Sequence, residues 1–191
     1  ASLVSLSASG FGSVTCLGPV KGPRIAVRVS SSASVKADID AGKMELAVSG
    51  FGNFEGAIRC EECDLDLSSS SSAKAEVECR GICRLTTSGF AKFGGSVEAD
   101  VIVAKFSSSS SVGTPLKAAR LELTASGFAS YKGALKAGTA LLDISSGASI
   151  AGPFDAQSFT ATVSGFGKVA LLGDAEVGSG TVTVSSSGVF A

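Results

Sequence analysis

The tripeptide Ser-Gly-Phe, followed by Gly or Ala, occurs five times in this chain, starting at Ser9, Ser49, Ser88, Ser126 and Ser164. Serine-rich stretches starting at Ser30, Ser68, Ser107, Ser145 and Ser185 fall between the copies. The two kinds of motif alternate, so ten units follow one another with a period of roughly 20 residues. A period this short dictates a repeat architecture, in which each unit buries its apolar face only by stacking on its neighbours.

The units align when the first Ser of each motif is taken as offset zero. Around Ser49 the apolar residues are Met44, Leu46, Val48, Phe54 and Ile58; around Ser107 they are Ile102, Ala104, Phe106, Val112 and Leu116. The large apolar offsets are therefore −5, −3, −1, +5 and +9, and small residues recur at +1, +3, +7 and +11. All are odd, so they share one face of an extended chain. The even offsets carry polar residues such as Glu45, Asp64, Lys105 and Asp143 on one flank and Lys36, Lys74 and Lys92 on the other. The alternation slips once per unit, at pairs such as Gly42-Lys43 and Glu61-Glu62, and helical spacing never appears. The pattern predicts an all-β chain: a single β-solenoid domain over residues 1–191, with about ten coils of 19 residues paired as parallel strands. At about 4.8 Å per coil it makes a rod roughly 50 Å long. The alternative is about five flattened coils of 38 residues, with a pure Phe ladder on one side and a pure Ser ladder on the other. The shorter coil is favoured because nine inward positions alternating large and small fill a narrow core.

Units of the form apolar-x-apolar-x-apolar-Ser-Gly-x-Gly occur here as SGFGSV at 9–14, SGFGNF at 49–54, SGFAKF at 88–93, SGFASY at 126–131 and SGFGKV at 164–169. In period and pattern the whole chain resembles the putative auto-transporter adhesin, head GIN domain family, whose members carry recurring Ser-Gly-Ser-Gly-Asp segments. Two departures stand out: Phe replaces the middle Ser, and the Asp is absent from every copy. The resemblance implies a right-handed parallel β-helix and an exported, surface-associated, non-enzymatic protein. It brings no catalytic residues with it.

Composition narrows the function classes further. Hydrophobic residues make up 45% of the chain and charged residues 17%, which is a globular balance. The net charge is −1 without a basic run, which speaks against nucleic acid and anionic membrane as partners. No apolar stretch is long enough to span a membrane, and no signal segment is visible at the start. A chain that opens on Ala1 fits a processed mature protein as well as a recombinant one. There is no His, which removes the usual general base, the usual triad partner and the commonest zinc ligand. No GxSxG, P-loop, EF-hand or HExxH pattern occurs. Glu61, Glu62, Asp64 and Asp66 form the densest carboxylate cluster, read as a solvated face rather than as the paired acids of a sugar-cleaving β-helix. The expectation is no enzyme, no cofactor and no metal.

Five cysteines complicate the last point. Cys60, Cys63, Cys79 and Cys83 have the spacing C-x2-C-x15-C-x3-C, which out of context reads as a structural metal site. The alignment gives them a simpler place. Cys60 and Cys79 occupy offset +11, held elsewhere by Ala41, Ala99 and Ala118, and Cys63 and Cys83 take the −5 core slot; Cys16 sits at +7. They are read as buried thiols or as one or two disulfides. A 19-residue coil stacks Cys60 on Cys79, within reach of bridge geometry, whereas a 38-residue coil allows only Cys60–Cys63 and Cys79–Cys83.

Phe11, Phe51, Phe90, Phe128 and Phe166 all fall at offset +2. Parity places them outward, as an aromatic column for a protein partner or a sugar surface. Hydrophobicity places them inward, re-aimed by a bend at the preceding Gly. The outward Ser-x-Ser rows, such as Ser30, Ser32 and Ser34, resemble the Thr-x-Thr arrays of ice-binding proteins but lack the methyl group; tight corners explain them as well. The apolar pattern begins almost at residue 1 and runs nearly to the last, which predicts contact through a coil end as a dimer, filament or larger complex. The leading functional expectation is a non-catalytic exported adhesion or scaffold module, extracellular or at a cell surface, binding protein or glycan through the Phe column or a coil end. The alternative is a structural subunit docked in a multiprotein assembly, in an organelle lumen if the complex lies there. Ice binding and polysaccharide cleavage follow behind.

Overall fold

The computed structural model describes residues 3–172 and 177–191. It is all β. One continuous parallel sheet winds upon itself, and each strand hydrogen-bonds to its counterpart one coil away. The register answers the question of coil size. Ile39 lies beside Ile58, Leu116 beside Leu135 and Leu135 beside Phe154, each 19 residues on. Ten left-handed corner residues, from Gly10 to Ser186, mark about ten coils.

Each coil contributes three short parallel ladders. In the second coil these run over Ser34–Lys36, the first residues of Ile39–Val48, and the remainder of that strand after a gap in the pairing at Gly42. The inward rows are the odd offsets named above: Ile25, Met44, Cys63, Cys83, Ile102 and Leu121 stack in one row and are fully buried. Large and small side chains alternate around the coil, so a single narrow core is filled without a second layer. Tyr131 takes a slot held elsewhere by Phe54 and Phe93. Its ring stacks on Phe106 at 5.9 Å, and its hydroxyl is shared between the carbonyls of Thr114 (2.7 Å) and Ala134 (3.0 Å), which makes so polar a tip tolerable in the core.

One inward expectation is corrected. Offset +1 does not face the core. It is the corner itself, with Ser31, Ser69, Ser108, Ser146 and Ser186 at φ of 58–61° and Gly10, Gly50, Gly89, Gly127 and Gly165 at 61–72°. The N–H at +3 donates to the carbonyl at offset zero, as from Gly52 to Ser49 (3.0 Å) and from Ala148 to Ser145 (3.2 Å), closing a four-residue turn. Alternation therefore lapses for one step: +1 and +2 both point away from the core, and burial resumes at +3 with Ala33, Ala91 and Ala129.

The corners also explain why Gly and Ser take turns. The Phe90 N–H reaches the Ser69 carbonyl at 2.6 Å, and Phe51 and Phe128 do the same to Ser31 and Ser108. The Ser coils sit further from the Gly coils before them, with Ser70 to Gly50 and Ser109 to Gly89 at 2.9 Å. A Cβ on Gly89 would stand 2.7 Å from the Ser69 carbonyl oxygen. The close step therefore demands Gly and the wider step accepts Ser, although Ser bears the usual cost of a left-handed conformation. The 38-residue period is thus an alternation of corner spacing superimposed on a 19-residue coil.

Candidate functional site

The five motif Phe share one corner of the solenoid, and the corner geometry aims them outward. Phe11 is 95% exposed and the other four are 67–77% exposed. The re-aiming bend does not turn them in, because the left-handed residue reverses the chain across both +1 and +2. Backbone hydrogen bonds chain these corners coil to coil, so the rings form a column in which every second level is Ser32, Ser70, Ser109 or Gly147. The Phe128 ring leans on the Gly147 level. A Cβ on Gly147 would lie 2.9 Å from Cδ1 of Phe128. Aromatic knobs thus recur about every 9.6 Å, twice the strand spacing.

A second outward row runs beside this column, four residues earlier in each coil. Arg28, Ala47, Asp66, Thr86, Lys105, Thr124 and Asp143 follow one another in register. The charges occupy only the Ser coils, alternate in sign and are exposed. None of the four makes an ion pair among the described residues. Sequence reading scattered these residues along a generic polar flank. Their alternation becomes legible only when the 19-residue register is fixed.

Some of the other charges pair between neighbouring coils. Lys117 meets Glu98 at 2.7 Å, Lys136 meets Asp155 at 2.6 Å and Arg59 meets Glu78 at 3.2 Å, each pair one coil apart. Within the acidic cluster, Glu61, Glu62 and Asp66 are exposed, and Asp64 is bridged by Arg84 (3.1 Å) and Lys43 (3.4 Å). Arg24 hydrogen-bonds the Glu45 carboxyl at 2.8 Å and holds it below the usual carboxylate range.

The four paired cysteines line the inside of another corner. Cys60 stands in register with Cys79, and Cys63 with Cys83, across two neighbouring coils. All four are thiols in this structure and all are buried. Their sulfurs share hydrogen bonds. Cys63 donates to Cys60 and lowers its thiol pKa, and the same bond, together with that to Cys83, raises that of Cys63. Burial pushes Cys79 up to about 12, and its thiol donates to the Glu61 carbonyl at 3.2 Å. Among the described residues no group of three or more Cys, Asp or Glu is arranged to hold a metal ion. Cys60 and Cys79 also form the floor of a shallow trough walled by Asp40, Arg59 and Glu78.

Comparison with known proteins adds one finding. Residues 1–80 match the family described as putative auto-transporter adhesin, head GIN domain. The matched span holds the first two motif Phe and four of the five cysteines, and the same coil geometry continues beyond it. No curated protein and no solved structure matches the chain. Among the described residues no helix is long and apolar enough to cross a membrane.

Proposed function

We propose that this protein is a non-catalytic adhesion or scaffold module that works at a cell surface and binds through its aromatic corner. The observation that carries the reading is the column of five exposed rings on a rigid rod. Monomeric surfaces rarely leave so regular an apolar strip in water. Covering an exposed Phe is worth about 1.5–3 kcal/mol, so five supply roughly 10 kcal/mol before the cost of association is subtracted. The corner residues beside the rings are Ser, Gly and Ala, and the charged row alongside alternates in sign and sums to zero, which suits an apolar or glycan surface better than a strongly charged one. The family description of the matched span points the same way, towards adhesion and a surface location.

The test is binding to cells and to immobilised glycans by wild type and by the triple variant Phe51→Ser, Phe90→Ser, Phe128→Ser. The expected result is loss of binding with unchanged circular dichroism and melting temperature. Undiminished binding by a folded triple variant overturns the reading. A stoichiometric protein partner recovered from the source, in place of glycan or cell binding, favours the structural-subunit alternative.

A further inference from the structure

We infer that the occupant of the aromatic corner is a second copy of this chain, docked antiparallel, with the twofold axis passing through the level of Phe90. The inference rests on the reading of that corner as a contact surface and says what covers it.

Charge complementarity carries the argument. Arg28, Asp66, Lys105 and Asp143 stand in one row at intervals of two coils, without intramolecular ion-pair partners among the described residues. The midpoint of this row is Thr86, in the same coil as Phe90. A twofold axis across the rod at that level keeps the row on the same side of the interface in both copies and reverses its order. Arg28 then faces the second copy's Asp143, and Asp66 faces its Lys105, giving four opposite-charge pairs per dimer. The same axis brings Phe51 to Phe128, Phe11 to Phe166 and Phe90 to itself, so one operation pairs the rings and the alternating row together; on the other flank it sets the exposed Lys92 opposite its own copy.

Other registers do worse on the same residues. Moving the axis by one coil sets Arg28 opposite Lys105 and Asp66 opposite itself, a row of like charges. Moving it by half a coil sets rings against Ser corners and charges against Ala and Thr. Moving it by two coils keeps opposite signs but only half of the charge pairs, and it leaves two rings of each copy uncovered. A parallel twofold carries the two charge rows to opposite sides, where no pair forms. The next row outward brings Glu45 opposite Glu122 and Arg84 opposite itself, but each already holds an opposite charge of its own chain, Arg24, Arg120 and Asp64.

The area is sufficient. Five aromatic rings at roughly 150 Å² each cover about 750 Å² per copy, close to the ~800 Å² per partner of a standard stable interface.

The experiment is sedimentation equilibrium of the intact chain with charge variants. Wild type is expected to dimerise reversibly. Asp66→Lys places lysine against lysine twice and weakens the dimer by about tenfold or more, whereas Asp66→Lys with Lys105→Asp restores every pair and returns the affinity to near wild type. Thr86→Cys, lying on the axis, cross-links to itself with a short bis-maleimide; Ala47→Cys does so only when mixed with Thr124→Cys. A wild type that stays monomeric at high micromolar concentration overturns the inference, as does a double variant no stronger than Asp66→Lys alone. The two readings fail separately. If wild type is monomeric but the Phe-to-Ser variant loses cell or glycan binding, the contact surface stands and the second copy is wrong. If wild type dimerises as described and binds no cell or glycan, the dimer stands and adhesion is wrong.

Discussion

Phe51 and Phe54 lie three residues apart and have opposite fates. The first stands in solvent beyond a left-handed corner; the second is fully buried. Phe54→Ala should cost about 3–5 kcal/mol by emptying a core slot, whereas Phe51→Ser should change stability by no more than about 0.5 kcal/mol. Urea denaturation of the two variants separates the roles cleanly. Ser71 offers the reverse case. Its hydroxyl is buried with no hydrogen-bond partner, in a slot that Ala occupies in other coils. Ser110, in the equivalent slot two coils on, is satisfied by Thr87 at 3.0 Å, but the residue in the place of that Thr one coil before Ser71 is Val48. Ser71→Ala should therefore raise stability by about 1–2 kcal/mol, read as a higher urea midpoint at unchanged slope. Gly95 has no such freedom. It sits at φ 114°, and a Cβ there would collide with the Ala75 carbonyl oxygen. Gly95→Ala should cost about 3 kcal/mol through backbone strain and forced separation of the coils.

At the scale of one coil, the cysteine corner links packing to pH. Cys63 and Cys79 hold their protons in the folded chain beyond the point where an unfolded thiol, near pH 8.5, has released its own. Unfolding then releases protons, so their contribution is complete below about pH 8.5 and is lost at higher pH, for Cys79 as pH climbs towards 12. Cys60, shifted down by its neighbour Cys63, works in the opposite sense. Cys79→Ala, which installs the residue found at this lattice position in Ala41, Ala99 and Ala118, should shrink the loss of stability between pH 8 and pH 11. Urea midpoints under reducing conditions at those two values check it; an unchanged difference would sink the account. The ion-pair ladder matters less. Its members are exposed, and pairs such as Lys117–Glu98 contribute roughly 0.2–1 kcal/mol each.

For the whole molecule, the rod turns a local corner into a periodic surface. Rings recur every second coil, in step with the alternating corner spacing, and the charges of the neighbouring row fall in the intervening coils. Such a surface reads a partner of matching pitch, and a second copy has that pitch by construction. Self-association also gives an adhesion module a direct mechanism, since copies on two facing surfaces would hold them together through the same strip. Raising salt should weaken the dimer by screening its four charge pairs while leaving the aromatic contribution in place, so the association constant should fall and then level off. Sedimentation at increasing sodium chloride measures this.

The solenoid is legible in the order of residues alone. Period-2 alternation, a 19-residue repeat and small residues at fixed offsets leave an extended chain no other way to bury its apolar face, and the same lattice placed the cysteines inside. Coil size stayed open between 19 and 38 because two kinds of corner alternate, and residue type alone does not reveal that they differ only in spacing. Parity also failed at one step, offset +1, because it assumes continuous extended backbone and the left-handed residue interrupts it. That the five Phe stand in solvent and that Arg28, Asp66, Lys105 and Asp143 form one row follows from the folded stack. Both depend on what lies a full coil away along the chain, and the closeness of that neighbour is set by stacking and not by local preference.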